Sequence, residues 1–268
     1  MTRSTPPLSR RMALAMGAAA CLMFSLGSGH AQAPSTTAMV AFDGVYIPAL
    51  FQTGSAGQST EAAARARASM ARLAGQWPGR RRALAAVWPR DAAWQGDLNR
   101  LDAALRRAGD QVTKAEWPDS HETLEQVRAI LYAARANRAM AYAPDSLTAF
   151  HAAMEHVAED AKRWAPEAVG AAERAQVERH YAAARATWRH VETTAWDAQA
   201  LALSPARWAQ FQAALAEEGA ALQQLHEALR SGPPAALLKA AGAIKGPFVR
   251  AYTALGWPAN ENPIPLPA

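Results

Sequence analysis

Residues 147–164 read LTAFHAAMEHVAEDAKRW, and this stretch decides the fold class. Its larger apolar side chains recur every three or four residues, at Leu147, Phe150, Met154, Val157, Ala161 and Trp164. This spacing places them on one face of an α-helix, because the helix completes a turn every 3.6 residues. The same spacing recurs along 94–105, 124–131 and 177–191. Since β-branched residues do not alternate with polar ones along these segments, we predict an all-α protein.

Helix-breaking and capping residues divide residues 61–256 into about seven helices, which we expect to pack as an antiparallel bundle. Asp91 is placed to cap one helix, and Ser204 is placed to cap another, directly before a proline. Proline lacks the backbone N–H that a helix interior requires. The Trp77-Pro78-Gly79 break is therefore expected to interrupt or end a helix.

The remaining segments have simpler expected roles. Residues 32–60 are predicted to be an extended or loop lead-in, in which Asp43–Pro48 docks as a short helix or strand. Residues 257–268 carry four prolines and are expected to run extended over the surface or to be loose. Similar spacings of tryptophan and proline suggest two related helical halves, an internal repeat of 61–139 and 172–255.

Residues 1–31 have the layout of a bacterial export signal. Arg3, Arg10 and Arg11 give a basic start without acidic residues, and an apolar run from Met12 to Leu26 leads to a cleavage site after Ala31. An apolar run of about 15 residues is short for a membrane span, so we predict cleavage, a periplasmic location and no stable membrane anchor. The arginine pair resembles a twin-arginine signal. Such pairs also occur in ordinary secretory signals, so both routes stay open.

Charge and cysteine content exclude several classes of protein. The formal charge of +5 falls to +2 once the three arginines of the signal are removed, which argues against nucleic acid as a partner. The single cysteine, Cys21, lies in the signal. The mature chain therefore has no attachment site for c-type haem, no thiolate metal site and no disulfide.

The candidate chemistry lies on the helix quoted first. His151, Met154 and Glu155 are spaced by three and four residues, so they share one helix face and are candidate ligands for a metal ion. A b-type haem would need a methionine and a histidine from different helices, and Met70 or Met154 with His180 or His226 meets that need. The alternative is that Met154 lies in the core and His151 lies at a helix seam, ion-paired or hydrogen-bonded.

A hairpin register between residues 119–139 and 147–164 refines that alternative. It predicts that Glu155 forms a salt bridge with Arg128 or Arg135. His121 and Glu125 repeat the His-x-x-x-Glu spacing of His151 and Glu155. The same register separates the two histidines by about 20 Å along the axis, so the two pairs are expected to be separate.

Basic residues also cluster near the first tryptophan–proline breaks. Arg72, Arg90 and the run 80–82 form a patch that either binds an anion or acidic headgroups, or is a solvated face or a partner of acidic helices. The sequence has no P-loop, no dinucleotide fingerprint, no nucleophile elbow and no Glu-x-x-His. We therefore predict a non-catalytic periplasmic protein that binds an unknown protein or small ligand. A metal- or haem-binding protein is the first alternative, and an enzyme without a recognisable motif is the second.

Overall fold

The structure, a computed structural model, describes residues 36–264, so the predicted export signal lies outside the described residues. The helices within this range are α1 (Thr37–Ser55), α2 (Thr60–Ala85), α3 (Ala92–Thr113), α4 (Trp117–Ala136), α5 (Pro144–Arg163), α6 (Ala171–Thr193), α7 (Pro205–Ser231), α8 (Pro234–Ala243) and α9 (Lys245–Leu255). Two short 3-10 turns, Ala56–Gln58 and Pro166–Ala168, join some of them.

The all-α prediction is confirmed, because residues 36–264 form helices and no strand. Eight α-helices, α2–α9, occupy the range for which about seven were predicted, and α1 precedes them. Most of the predicted apolar stripes form buried helix faces. Asp91 caps α3 as expected, since its carboxylate accepts a hydrogen bond from the Trp94 N–H at 2.9 Å. Ser204 precedes Pro205 at the start of α7, although its side chain makes no capping hydrogen bond.

The prediction of an extended lead-in over 32–60 is wrong. Residues Thr37–Ser55 form α1, and 12 of its 19 residues are buried. This helix is apolar on nearly all sides, so it shows no stripe by which a surface helix is recognised. The expected docking of Asp43–Pro48 does occur, as the middle of a buried helix.

The predicted interruption at Trp77-Pro78-Gly79 is also wrong, because α2 runs through Pro78 to Ala85. A proline removes one intrahelical donor and leaves the carbonyl of Ala74 without its usual partner. Ala74 is exposed, so its carbonyl does not need a partner within the protein, and the helix continues through Pro78. The second break, at Trp88-Pro89, does follow the end of this helix.

The helices pack as two sets. In the first set α1 packs on α2 and α4, and α3 packs on α2 and α4. In the second set α5 packs on α6 and α8, and α7 packs on α6, α8 and α9. Contacts of α9 with α1 and of α5 with α4 join the sets, and one continuous apolar core runs through both. In each set of four, α1–α4 and α5–α8, the first and the third helix both contact the second and the fourth. The internal repeat stays a prediction.

The C-terminal segment 257–264 is held against this framework rather than loose. Trp257 is 1% exposed, and its backbone N–H donates to the backbone carbonyl of Gly44 at 2.6 Å. That carbonyl is free because Pro48, four residues later in α1, has no N–H to offer it. Gly44 also leaves room for the indole, since a Cβ there would lie 2.2 Å from Trp257 Cδ2.

Candidate functional site

Two cavities between the helices are lined by the side chains that could bind a ligand or a metal ion. The first, the histidine groove, has a volume of about 1010 Å³ and lies between α4, α5, α9 and the end of α1. It is lined by two of the three predicted ligands, His151 and Glu155. The third, Met154, is fully buried in the core, so the structure does not bring the three together in one cavity.

His151 lies between two charged partners. Arg128 Nη2 donates to His151 Nδ1 at 2.6 Å, so the ring proton lies on Nε2, which faces Glu155 Oε1 at 3.2 Å. Lys245 Nζ also contacts Glu155 Oε1, at 2.7 Å. The predicted seam position of His151 is confirmed, and both candidate ligand groups are occupied by protein partners.

The electrostatics of this pair follow from the same contacts. Burial, and more weakly the positive charge of Arg128, lower the pKa of His151, although Glu155 opposes them. Burial alone would raise the pKa of Glu155. Hydrogen bonds from His151 and Lys245 outweigh burial and lower that pKa to about 2. The ion pair of Glu155 and Lys245 beside a neutral His151 is therefore the stable state near neutral pH.

The predicted salt bridge of Glu155 with Arg128 or Arg135 is wrong. Glu155 pairs with Lys245, whereas Arg128 pairs with Glu125 and Arg135 pairs with Asp145. The register failed because α4 and α5 do not form the hairpin that it assumed. Instead α4 packs mainly on α3, and α5 packs mainly on α6.

The same error affected the two His-x-x-x-Glu pairs, which line one cavity instead of being separate. Arg128 joins them, since its Nη2 contacts both Glu125 and His151. His121 Nδ1 donates to the carbonyl of Leu50 at 2.9 Å. These polar side chains are largely satisfied by one another, which is typical of a structural network.

The metal and haem hypotheses stay predictions without support from this geometry. In residues 36–264, no group of three or more His, Cys, Asp or Glu side chains is placed to hold a metal ion. Of the haem candidates, Met70 is buried in the core. His180 pairs with Asp160 at 2.6 Å, and the ring of His226 stacks on Tyr181 at 5.8 Å.

The second cavity, the arginine pocket, has a volume of about 760 Å³ and lies between α1, α2, α7, α9 and the C-terminal segment. Four arginines and one glutamate supply its charges. Its apolar surface comes mainly from α1 and from the segment after α9. These lining residues are Arg65, Arg72, Arg207, Arg250 and Glu217, with Val45, Ile47, Pro48, Phe51 and Trp257 among the apolar ones.

Arg207 is the most deeply placed charge of this pocket, at 7% exposure. It lies in the first turn of α7, and its Nη2 donates to the carbonyls of Ala254 and Gly256 at the end of α9. The last carbonyls of a helix lack intrahelical donors and attract cations there. Its Nη1 is buried without a hydrogen-bond partner among the described residues, and Glu261 Oε2 lies 3.6 Å away. Burial lowers the pKa of Arg207, and Glu261 opposes that effect.

The arginines of the predicted basic patch contact different parts of the protein. Arg72 donates to the carbonyls of Trp257 and Pro258, at 3.0 and 2.6 Å. Arg80 is 1% exposed and donates to the carbonyl of Ile264 at 2.9 Å. The Arg81 guanidinium pairs with Asp102 at 2.8 Å. Arg72 and Arg80 therefore hold the C-terminal segment, which neither interpretation of the patch foresaw.

Sequence reasoning identified Arg72 but missed Arg65, Arg207 and Arg250. Isolated arginines on three different helices form no pattern along the chain, and only the packing of α2, α7 and α9 brings them together. No protein-family model matches the chain, and neither does any curated protein or solved structure. The described helices include none that is both long and apolar enough to cross a membrane.

Proposed function

We propose that this protein is an exported, non-catalytic binding protein that holds a small ligand in the arginine pocket. The observation that carries the proposal is Arg207, which lines a cavity of about 760 Å³. Its buried Nη1 has no hydrogen-bond partner among residues 36–264, and the Glu261 carboxylate lies 3.6 Å away. A buried donor of a charged group costs free energy when it lacks a partner. A ligand acceptor that reaches Nη1 removes this cost.

The shape and lining of the pocket support the same function. Its volume lies within the range of about 300–1000 Å³ typical of small-molecule sites. Such sites combine apolar walls with a few polar groups that orient the ligand. Here α1 and Trp257 provide the apolar wall, and arginines from three helices provide the polar groups.

The periplasmic location belongs to this proposal and rests on residues 1–31 alone. Cleavage after Ala31 predicts that the protein recovered from the periplasm begins at Gln32, which N-terminal sequencing measures. Replacing Arg10 and Arg11 together by lysine tests the route. Loss of export supports the twin-arginine route, and unchanged export supports the ordinary secretory route. An uncleaved start would contradict the signal.

A thermal-shift screen of the mature protein against a library of small organic acids, amines and neutral compounds tests the function. We expect a subset to raise the melting temperature, because a ligand that binds only the folded state stabilises it. Arg207→Met should abolish those shifts. Arg81→Met is the matched control, since it removes an arginine outside the pocket. Shifts of equal size in wild type and Arg207→Met, or no shift with any compound, would contradict the proposal.

A further inference from the structure

The charges of the arginine pocket are unbalanced. Four arginines line it, and Glu217 is the one acidic side chain among the lining residues. Glu217 is already paired with Arg250 at the exposed rim. A pocket whose lining carries this excess of positive charge favours an anionic group over a neutral or cationic one.

Of the four guanidinium groups, Arg207 offers the best-placed donor. Arg72 is engaged by three backbone carbonyls of the C-terminal segment, and Arg65 Nε donates to Gln52 at 3.4 Å. Arg207 is fixed by two carbonyls through Nη2, while its Nη1 makes no hydrogen bond within the described residues. A fixed guanidinium with a free edge is suited to a carboxylate or phosphate oxygen.

The wall beside this donor is apolar. Val45, Ile47 and Phe51 of α1 and Trp257 all line the same cavity. Burial of an alkyl or aryl group against such a wall is favourable, because it removes apolar surface from water. The pocket therefore fits a molecule that has an acidic group at one end and an apolar body.

Glu261 of the C-terminal segment already places a carboxylate near the free edge of Arg207. Its Oε2 lies 3.6 Å from Arg207 Nη1, beyond hydrogen-bond distance, and its side chain is 36% exposed. Its own backbone carbonyl accepts from Arg72, so the backbone is anchored. Within residues 36–264 the carboxylate has this one ion-pair contact, which is long. Such a carboxylate is readily displaced by another anion.

We propose that the ligand of the arginine pocket is an amphipathic organic anion, and that its acidic group replaces the Glu261 carboxylate at Arg207 Nη1. This inference rests on the proposed function and adds the chemical class of the ligand and an internal competitor for it. The apolar body of the ligand lies against α1 and Trp257. Glu261 sets the affinity, because ligand and side chain compete for one donor.

Calorimetric titration of the mature protein with octanoate, 1-octanol and acetate tests the inference. Octanoate should bind more tightly than octanol, which lacks the charge, and more tightly than acetate, which lacks the apolar body. Glu261→Gln removes the competitor and should tighten octanoate binding on the order of tenfold. Glu217→Gln is the matched control, since it removes the same charge from the rim and should change the affinity much less.

The outcomes separate this inference from the function on which it rests. Equal affinity for octanol and octanoate, with no effect of Glu261→Gln, would overturn the anionic class while the pocket still binds a small molecule. An equal gain in octanoate affinity in Glu261→Gln and Glu217→Gln would overturn the competition at Arg207, because the affinity would then depend only on net charge. No binding of octanoate to any variant, together with a negative thermal-shift screen, would overturn both.

Discussion

Gly44 and Trp257 form the tightest contact between α1 and the C-terminal segment. The indole lies where a side chain at position 44 would be, since a Cβ there would come within 2.2–2.6 Å of three of its atoms. Gly256 makes a second close approach, to Pro48. These small residues let the segment lie directly on α1, where it closes one side of the arginine pocket.

Gly44→Ala should therefore destabilise the protein although alanine favours helix. The added methyl group displaces the buried indole, and overpacking of this kind costs about 1–3 kcal/mol. Urea unfolding followed by circular dichroism measures the change in the free energy of unfolding.

Gly96→Ala is the control for that substitution, because Gly96 is exposed in α3. Apart from its chain neighbours and the nearby backbone of α3, no described atom lies within 4 Å of the position that its Cβ would take. This variant should gain up to about 1 kcal/mol from helix propensity. If Gly44→Ala proved as stable as Gly96→Ala, the close packing of Trp257 on α1 would be contradicted.

Single residues also mark the limit of the sequence analysis. The roles of Gly44 and Pro48 could not be predicted, because they depend on Trp257, more than 200 positions away in the chain. Arg207 carried no signal, since its environment comes from the end of α9. Conversely, the position of Met154 in the core and of His151 at a seam followed from the helical stripe alone, because that stripe is local.

At the scale of elements, α7 and α9 are joined by a buried carboxylate. Glu218 of α7 is 0% exposed, and its Oε2 accepts from the Phe248 N–H in the first turn of α9 at 3.0 Å. Its Oε1 has no hydrogen-bond partner among the described residues. Burial raises the pKa of Glu218 to about 8, although this hydrogen bond and the charge of Arg250 oppose the shift.

This carboxylate predicts a pH dependence of stability. Its pKa in the folded state lies above the ordinary value of 4.5, so the folded protein binds the proton more tightly than the unfolded chain does. The stabilising contribution is complete below pH 4.5 and is lost as the pH rises to about 8. Urea unfolding at pH 5, 7 and 9 should therefore show wild type losing stability relative to Glu218→Gln.

Glu217→Gln provides the control for this series, because Glu217 is the neighbouring residue and is exposed. It should follow the pH profile of the wild type. If Glu218→Gln also followed the wild-type profile, Glu218 would titrate at an ordinary pKa, and its buried contact with α9 would be wrong.

Elements with a one-sided apolar stripe were predicted well, and the others were not. The stripes of α3 and α5 are visible because each helix has one buried face and one exposed face. In contrast, α1 is buried on nearly all sides, so its sequence has no helical period to detect. Which helices pack against each other could also not be predicted from the sequence. The break between α4 and α5 resembled a hairpin turn, although these helices pack on other partners.

At the scale of the whole molecule, the arginine pocket lies where the two helix sets meet. It takes α1 and α2 from the first set and α7 and α9 from the second. The C-terminal segment borders the same cavity and is held by Arg72 and Arg80. Because each set contributes charge or apolar surface, no single half of the predicted repeat would form this site alone. We therefore expect ligand binding in this pocket to require helices from both sets.

A crystal structure of the mature protein with 8-bromooctanoate tests the central claim most directly, because the anomalous signal of bromine locates the ligand independently of the protein density. The account predicts one strong bromine peak within the arginine pocket, beside Phe51 and the other α1 side chains. The carboxylate should lie within hydrogen-bond distance of Arg207 Nη1, with Glu261 displaced. A bromine peak in the histidine groove or at the surface, with Glu261 still beside Arg207, would contradict it.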